Sequence, residues 1–310
     1  MTAHDIKRFG KVAVLFGGTS AEREISLKSG SAVLRALQAR GVDAHAVDPA
    51  EGLVEQLLAG RFDRAFIVLH GRDGEDGTVQ GLLELMDIPY TGSGVLASAL
   101  SMDKLRTKQL WQALGLPTPE YVQVKSVEEL EGFVARVGYP VAVKPANEGS
   151  SIGVTRLTAE KDARAAFELA RRYDEVVLAE RWVIGKEYFC SILGEQALPM
   201  VRMETPREFY DYQAKYFSDD TQYHCPCGLP EEEERELQEM CLAAWKAIGG
   251  RGWGRVDFLR DEAGKAWLIE ANTVPGMTDH SLVPMSARAV GIEFDELVLR
   301  ILAQTLEVAR

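Results

Sequence analysis

The first part of the chain alternates short apolar runs with longer segments in which apolar residues recur every three or four positions. The runs predict β-strands, and the recurring positions predict amphipathic helices. Strands are predicted at 12–16, 45–47 and 65–69, and helices at 24–38 and 79–86. Strands separated by helices pair in parallel, because a parallel neighbour needs a long crossover connection. This part therefore predicts a parallel sheet covered by helices.

The rest of the chain has a different pattern. The turn sequence "TGSG" at 91–94 introduces a helix that runs to about residue 114 and ends at "GLPTP", since proline cannot continue a helix. Further along, strands outnumber helices, which is typical of an antiparallel α+β fold. Strands are predicted at 141–144, 154–156, 176–180, 188–193, 198–203, 254–259 and 266–271. Helices are predicted at 159–171 with Thr158 as N-cap, at 231–248 and at 294–308.

Composition narrows the functional classes. A chain of 310 residues is long for one core, so two or three packed units are expected. The net charge of -12 opposes binding to a polyanion such as nucleic acid. No stretch approaches the roughly 18 apolar residues of a membrane span, and the start of the chain lacks the apolar segment of a signal peptide. We expect a cytoplasmic protein with free thiols, and "CPC" lacks the second Cys/His pair that zinc requires.

The predicted hairpin at 254–271 carries polar residues at its end. Glu270 and Asn272 follow an apolar run and, being two positions apart, face the same side of a strand. Arg255 and Asp257 share a face on the partner strand, and the short turn can bring Asp257 opposite Glu270. Two carboxylates and an amide oxygen suit a hard cation such as Mg²⁺. The alternative is a solvated strand face with ordinary ion pairs, which the apolar flanking residues disfavour.

A loop rich in glycine and serine, "KPANEGSSIG", joins two of the predicted strands. It follows a strand that ends in Lys144, and it contains Gly149, Ser150 and Ser151. Free backbone N–H groups in such a loop can bind phosphate, and a nearby lysine neutralises the charge. The sequence is neither a Walker A motif nor GxGxxG, so an ordinary hairpin loop is an equal alternative.

The stretch "LAERWVIGKE" contains an apolar step between acidic residues. Glu180 ends a predicted strand, Trp182 and Val183 follow it, and Glu187 comes shortly after. Free backbone groups on such a step can bind adenine, and the carboxylates can bind ribose. By itself this is a weak signal.

Two residues of the first part lie where strands end. Glu22 follows "LFGGTSA", and His70 follows "FIVL" directly. Open α/β sheets bind ligands at the carboxyl ends of their strands, where Glu22 could pair with an ammonium group. The alternative for Glu22 is a capping box with Thr19, three residues earlier. The alternative for His70 is a structural histidine.

Residues 204–228 form a long polar and aromatic segment that includes "FYDYQAKYFSDDT". Lys215 and Tyr216 lie in this segment, surrounded by aromatic residues. A solvated loop has little reason to hold so many aromatic rings, whereas a lid that closes over a site does. Packing of the segment on its own domain is an equal alternative.

Together these stretches resemble the D-alanine–D-alanine ligases, the ATP-grasp enzymes of bacterial cell-wall synthesis. The resemblance runs from "VAVLFGGTSAEREISL" through "HGRDGEDGTVQGLLELMDIPYTGSGVLASALSMDK", "KPANEGSSIGV" and "YDYQAKY" to "GWGRVDF" and "IEANTVPGMTDHSLVPM". It implies a three-domain ATP-grasp fold of mixed α/β and α+β class. An N-terminal parallel α/β sheet precedes two antiparallel-sheet lobes that sandwich ATP. The implied domains are 1–92 for the first D-alanine, 93–186 with the phosphate-binding loop, and 187–310 with the metal site, the lid and the second D-alanine site.

The resemblance also implies roles for single residues. It implies contacts with ATP from Lys104, Lys144, Ser151, Glu180, Trp182, Val183, Glu187 and Lys215. It implies two Mg²⁺ or Mn²⁺ ions on Asp257, Glu270 and Asn272. It implies D-alanine contacts from Glu22, His70, Gly276, Ser281 and Leu282. It implies catalytic roles for Glu22, Ser150, Tyr216, Arg255 and Ser281.

The implied reaction joins two D-alanines through a D-alanyl phosphate formed from ATP. The implied partners are the small molecules ATP and D-alanine, with no nucleic acid and no membrane, and a homodimer is expected. Two alternatives keep the scaffold. One is a ligase that makes D-alanyl-D-lactate or D-alanyl-D-serine. The other is a nucleotide-binding regulatory protein that has lost catalysis.

Overall fold

A computed structural model describes residues 6–149, 151–205 and 221–307 of the chain. The first sheet has the strand order β2-β1-β3. It consists of β1 (Lys11–Leu15), β2 (Asp43–Val47) and β3 (Arg64–Ile67), with helices α1 (Arg23–Ala39), α2 (Leu53–Gly60) and α3 (Thr78–Leu85). Both strand pairings are parallel, so the predicted parallel sheet is confirmed. We call this sheet with its three helices the first unit.

A four-stranded antiparallel sheet forms the second unit, after two connecting helices, α4 (Val95–Met102) and α5 (Lys104–Ala113). Its order is β4-β7-β5-β6. Its elements are β4 (Tyr121–Val124), α6 (Val127–Val137), β5 (Val141–Pro145), β6 (Thr155–Leu157), α7 (Ala163–Arg171) and β7 (Val177–Arg181). The two helices pack on one face of this sheet. The prediction of Thr158 as N-cap is wrong, because a 3₁₀ turn at Glu160–Asp162 delays the start of α7.

The third unit is a six-stranded antiparallel sheet covered on one face by a helix. The order β11-β10-β8-β12-β13 has the short strand β9 beside β8. Its elements are β8 (Gly185–Leu193), β9 (Gln196–Ala197), β10 (Val201–Glu204), β11 (Gln222–His224), α8 (Glu231–Ala247), β12 (Trp253–Asp261) and β13 (Ala266–Asn272). Apolar side chains of α8 and one face of the sheet form a core, which leaves the other face to the polar residues of the hairpin.

Two last helices, α9 (Leu282–Ala289) and α10 (Phe294–Ala303), return the chain to the first unit. Apolar residues of α10 are fully buried in the same core as those of β1 and β3. Arg64 of β3 donates from Nη1 to the hydroxyl of Thr305, just past α10, at 2.9 Å. The division into domains at 92 and 186 stays a prediction.

Candidate active site

The hairpin of β12 and β13 places four polar side chains on one face of the third unit. Arg255 is paired with Asn272 and Asp257 with Glu270. Residues that pair directly across antiparallel strands face the same side. The expected position of Asp257 opposite Glu270 is therefore confirmed, and these side chains lie on the face away from α8.

A β-bulge decides which residues of β13 reach this face. The register shifts by one residue between Asp257 and Phe258, which leaves Ile269 as the extra residue. Leu268 is fully buried in the core beneath α8, whereas Glu270 is only partly buried. In an unbroken strand residues two apart share a face, so the bulge is what turns Glu270 away from the core.

Arg255 connects the polar residues of the hairpin. Its Nε donates to Oδ1 of Asp257 at 2.6 Å and its Nη2 donates to Oδ2 at 2.7 Å. The amide of Asn272 satisfies both its neighbours in only one orientation. In that orientation Oδ1 accepts from Arg255 Nη2 at 2.8 Å, and Nδ2 donates to Oε1 of Glu75 at 3.2 Å. Oxygens of Asp257 and Asn272 thus both accept from Nη2 of one guanidinium.

Lys104, the first residue of α5, links the third unit to the loop after β5. Its Nζ lies 3.3 Å from Oε2 of Glu270 and donates to the backbone oxygen of Glu148 at 2.7 Å. Only a small part of the lysine side chain is exposed. The ammonium group of Lys104 therefore lies between Glu270 of the hairpin and the glycine-rich loop.

Glu180 is buried between two lysines. Lys144 donates from Nζ to Oε1 of Glu180 at 3.1 Å, and Lys108 Nζ lies 2.5 Å from Oε2. Burial by itself raises the pKa of Glu180, but the two lysines outweigh it and the pKa lies below its usual value. Burial lowers the pKa of Lys108 to about 8, although the charge of Glu180 opposes the change. The carboxylate and both ammonium groups form one buried network.

Lys108 is absent from the residues that the sequence predicts for the site. It is fully buried, and it also donates to the hydroxyl of Thr118 at 2.7 Å. The available signal is its position four residues after Lys104 on one helix, which puts the two lysines on the same face. Two lysines four residues apart on a helix are usually both solvated, so this spacing alone does not predict that Lys108 belongs to the site.

The expected adenine-binding residues follow β7. The guanidinium of Arg156 lies 5.4 Å from the ring centre of Trp182. Val183 is buried. Glu187 lies on β8, two positions before Phe189, which pairs with Asp257. Glu187 therefore faces the same side of the third unit as the polar hairpin residues.

The loop between β5 and β6 reaches the first unit. The backbone N–H and the side-chain amide of Asn147 both donate to Oδ2 of Asp174 at 2.8 Å, which anchors the loop. Ser151 adopts a φ of 60°. Gly149 lies so close to Glu22 that an added Cβ would be 3.2 Å from Oε2 of Glu22. Residues of the first and second units thus meet at this loop.

Glu22 directly precedes α1, with its side chain between two glycines. The capping box with Thr19 is not formed, because the helix begins only after Glu22, so that interpretation is wrong. The Glu22 N–H donates instead to the hydroxyl of Ser20 at 3.2 Å. Gly71, at a φ of +70°, leaves room for the carboxylate, since an added Cβ would lie 2.9 Å from Oε2 of Glu22. Gly149 borders the same carboxylate on the other unit.

His70 is buried where the first unit meets the segment after β13. Its Nδ1 lies 2.9 Å from the backbone oxygen of Val274, so Nδ1 carries a proton and donates it. Nε2 is buried without a hydrogen-bond partner among the described residues. Burial lowers the pKa of His70, although the charge of Glu22 opposes this effect. In the neutral ring Nε2 is an acceptor.

The residues expected at the second D-alanine site lie together after β13. The hydroxyl of Ser281 accepts from the Thr278 N–H at 2.8 Å. A Cβ added at Gly276 would lie 3.0 Å from this hydroxyl. Leu282 packs beside the buried ring of Phe189. The structure therefore brings Gly276, Ser281 and Leu282 next to one another.

Glu75 is a second residue that the sequence does not single out. It lies in "HGRDGEDG", and its Oε2 accepts from the Gly71 N–H at 2.6 Å. Burial and the charge of Glu22 raise the pKa of Glu75 to about 8. One glutamate among the acidic residues of a turn has no distinguishing pattern.

Three predicted site residues, Ser150, Lys215 and Tyr216, lie outside the described residues.

The donor set of the hairpin fits a hard divalent cation. Asp257 and Glu270 supply carboxylates and Asn272 an amide oxygen, in register on adjacent strands. Across residues 6–149, 151–205 and 221–307, no three His, Cys, Asp or Glu side chains are grouped as a metal site. Mg²⁺ usually takes one or two carboxylates and completes its shell with phosphate oxygens and water. The hairpin residues fit an ion of that kind.

The sheets define the class of protein to which the chain belongs. A parallel unit followed by two antiparallel sheets, bridged here by Lys104 and Lys108, is the ATP-grasp arrangement. The structure is similar to that of D-alanine–D-alanine ligase from Bacillus anthracis complexed with ATP, with a TM-score of 0.84 and 32% identity over 96% of this chain and 97% of that one. It is also similar to VanG D-Ala:D-Ser ligase from Enterococcus faecalis, with a TM-score of 0.83 and 31% identity over 95% of this chain and 99% of that one. The predicted ATP-grasp fold is confirmed.

Sequence comparison gives the family. The model of the D-ala D-ala ligase N-terminus matches residues 48–93, and that of the C-terminus matches residues 110–303. The D-alanine–D-alanine ligase of Ectopseudomonas mendocina is 57% identical over 98% of this chain and 97% of its own length. The enzyme of Dechloromonas aromatica is 58% identical over 95% of this chain and 97% of its own length. The chain belongs to the D-alanine–D-alanine ligase family.

Proposed function

We propose that this protein joins two D-alanines into D-alanyl-D-alanine, with conversion of ATP to ADP and phosphate, for bacterial peptidoglycan synthesis. The observation that carries the proposal is the meeting of all three units at one site. Glu22 of the first unit lies against Gly149 of the second. Lys104 bridges the backbone of Glu148 and the carboxylate of Glu270 on the third. The relatives named above support the same reaction.

The first step makes a reactive acyl group. The carboxylate of the first D-alanine attacks the γ-phosphorus of ATP, ADP leaves, and D-alanyl phosphate forms. Phosphoryl transfer depends on positioning and charge neutralisation, and we propose that Lys104 and Lys144 supply both. Their contacts with Glu270 and Glu180 support the proposal. The other proposed nucleotide contacts are Ser151, Glu180, Trp182, Val183, Glu187 and Lys215.

The first D-alanine is proposed to bind between the first and second units. Glu22 pairs with its ammonium group, in the space that Gly71 and Gly149 leave around the carboxylate. The resemblance implies that His70 lies near the substrate carboxylate. The tautomer with a proton on Nδ1 makes Nε2 an acceptor, which suits the ammonium better than the carboxylate.

The second step forms the peptide bond. The amine of the second D-alanine attacks the acyl carbon, and phosphate leaves from the tetrahedral intermediate. Arg255 and the Gly276 N–H are proposed to stabilise the oxyanion, and each such donor is worth about 10²–10³ in rate. Ser281 and Leu282 are proposed to bind the carboxylate of the second D-alanine.

The lid is proposed to protect the intermediate. The resemblance implies that Ser150 and Tyr216 form a hydrogen-bonded chain with Glu22 that closes the segment around Lys215 over the site. An acyl phosphate hydrolyses when water reaches it, so a lid that excludes water preserves the intermediate.

Asp257, Glu270 and Asn272 are proposed to hold two Mg²⁺ or Mn²⁺ ions. Such ions neutralise phosphate charge when they are bound with ATP. Arg255 fixes the carboxylate of Asp257, and Lys104 fixes that of Glu270. The protein side of this site is thereby oriented by two cationic residues of the chain itself.

The proposed partners are small molecules, in a cytoplasmic homodimer. The net charge of -12 supports small-molecule partners rather than nucleic acid. In the described part of the chain no helix combines the length and apolarity that a membrane crossing requires. The proposed domains remain 1–92, 93–186 and 187–310.

The test combines purified protein with Mg-ATP and D-alanine, measures phosphate release, and identifies the product by mass spectrometry. Parallel reactions contain L-alanine, or D-alanine with D-lactate or D-serine. We expect phosphate release when D-alanine is the only substrate added with Mg-ATP. The amount of D-alanyl-D-alanine should equal the amount of phosphate. A mixed product formed in preference to the dipeptide, or Mg-ATP binding without phosphate release, contradicts the proposal.

A further inference from the structure

Glu75 joins the loop after β3 to the end of β13. Its Oε1 accepts from Nδ2 of Asn272 at 3.2 Å, and its Oε2 accepts from the Gly71 N–H at 2.6 Å. The backbone N–H of Val274 lowers the pKa of the same carboxyl group. Two donors, one from the end of β13 and one from the loop of Glu75 itself, therefore converge on one side chain of the first unit.

The same loop interacts with the backbone of Val274 through two residues. The Val274 carbonyl accepts from Nδ1 of His70 at 2.9 Å, and the Val274 N–H lowers the pKa of Glu75. Val274 lies between Asn272, a proposed metal ligand, and Gly276, a proposed oxyanion donor. The loop of the first unit thus fixes the backbone that connects these two functions.

The contacts with Glu75 and Arg255 together decide which atom of Asn272 faces each neighbour. With Nδ2 donated to Glu75, Oδ1 accepts from Arg255 Nη2 at 2.8 Å. A rotated amide would place Nδ2 against a guanidinium that also donates, and it would lose the hydrogen bond that Nδ2 donates to Glu75. A cation needs the oxygen, so the rotated amide cannot serve as a ligand.

We propose that Glu75 is a positioning residue that orients the amide of Asn272 for divalent-cation binding and fixes the segment around Val274. The inference rests on the proposed function, since it deepens the metal and oxyanion sites of that reaction. Partners that orient a metal ligand typically change metal affinity about 10- to 100-fold when they are replaced. Glu75 acts through Asn272 and needs no contact with substrate.

The test exchanges the donor and the acceptor. In Glu75→Gln the single oxygen of the new amide accepts from the Gly71 N–H, so its NH₂ group meets Nδ2 of Asn272. In Asn272→Asp two carboxyl groups face each other. In the double variant the new NH₂ group donates to the new carboxylate, and the second carboxylate oxygen faces Arg255 as Oδ1 does in the unaltered protein.

The main readout is the dissociation constant of Mn²⁺ in the presence of ADP, measured by electron paramagnetic resonance of the free ion. We expect each single variant to bind Mn²⁺ about 10- to 100-fold more weakly. We expect the double variant to bind at least about tenfold more tightly than the product of the two single effects gives. The Mg²⁺ concentration required for half-maximal phosphate release should follow the same order.

Asp76→Asn in the same loop is the matched control. Asp76 accepts from the N–H groups of Asp73 at 2.9 Å and Thr78 at 3.0 Å, so its replacement weakens the loop without changing the partner of Asn272. Combined with Asn272→Asp it should give effects that multiply. Circular dichroism and thermal melting confirm that each variant is folded.

Multiplying effects for Glu75→Gln and Asn272→Asp, in folded variants, would overturn the proposal. Unchanged Mn²⁺ affinity in Glu75→Gln would also overturn it. The outcome is separable from that of the proposed function. If the unaltered protein binds Mn²⁺ with ADP but releases no phosphate with D-alanine, the proposed reaction fails, and the exchange still decides the role of Glu75.

Discussion

Arg255 holds both carboxylate oxygens of Asp257, the residue two positions further along the same strand, at 2.6 and 2.7 Å. Side chains two apart on a strand face the same side, so the pair forms without any change of strand register. A residue proposed for oxyanion stabilisation therefore also orients a proposed metal ligand. Replacement of Arg255 tests the two roles together.

We predict that Arg255→Ala lowers dipeptide formation by at least about 10²-fold, because the developing oxyanion loses a charged donor. Binding of the nucleotide without a divalent cation should change little, because Arg255 contacts the proposed metal ligands Asp257 and Asn272. Binding of the divalent cation should weaken, since Asp257 and Asn272 lose the guanidinium that orients them. Steady-state kinetics and isothermal titration with a nonhydrolysable ATP analogue measure these effects.

Arg255→Lys is the control for this variant. Lysine keeps the charge but lacks the planar fork that binds both oxygens of Asp257. It should recover part of the rate. Equal losses of nucleotide affinity and of rate in Arg255→Ala would assign Arg255 a nucleotide-binding or structural role instead.

We predict that Glu22→Gln raises the concentration of first-site D-alanine needed for turnover, because the ammonium group loses its opposite charge. An increase of about tenfold or more is expected from the loss of one charge-assisted hydrogen bond. Initial rates over a range of D-alanine concentrations, fitted with two binding sites, measure it. Unchanged kinetics in a folded variant would mean that Glu22 has no part in substrate binding.

We predict that Lys108→Met lowers the free energy of unfolding at pH 7 by about 3 kcal/mol, because Glu180 then keeps only one of its two buried lysines. Urea unfolding followed by circular dichroism measures this change. Arg106→Met is the control on the same helix. Arg106 pairs with Asp103 in an exposed position, so its loss should cost at most about 1 kcal/mol. Similar losses in both variants would argue against the buried network.

We predict that protonation of His70 opposes folding below pH 6.5. Burial keeps the pKa of the folded histidine below its ordinary value of 6.5. Between these two pKa values the unfolded chain binds a proton that the folded chain does not bind. The contribution of His70 to stability is therefore fully present above pH 6.5 and is lost as the pH falls toward the folded pKa.

Urea unfolding between pH 5 and pH 8 measures this effect by comparison with His70→Asn. The stability advantage of the unaltered protein over the variant should shrink below pH 6.5. A constant difference across this range would show that His70 has the same pKa in both states.

The sequence predicts the parallel sheet and the polar hairpin because each depends on a local period. It does not predict α2, α6, α9, β4, β9 or β11, and β11 lies inside the segment predicted as a loop at 204–228. Pro284 makes "LVPMSARA" resemble a helix end, but it lies in the first turn of α9, where no helical hydrogen bond needs its N–H. Gly132 weakens the helical pattern of α6 for another reason, because glycine has a low helix propensity.

The candidate site is predictable only in part. The hairpin residues are close in sequence, so their shared face follows from strand geometry. The approach of Gly149 to Glu22 depends on how two units pack, which no local pattern records. The bulge at Ile269 cannot be predicted from the sequence either, because a residue is extra only with respect to the strand with which it pairs. The roles of Lys108 and Glu75 also depend on how the units pack, because their partners lie far away in the sequence.

The packing of α10 against β1 and β3 has a consequence for protein synthesis. During translation the first sheet is synthesised early, and α10 is synthesised only after both antiparallel sheets. Until then the nascent sheet displays the apolar surface that α10 later covers. Ribosome-bound chains that stop before Phe294 should therefore stay sensitive to protease at the first unit.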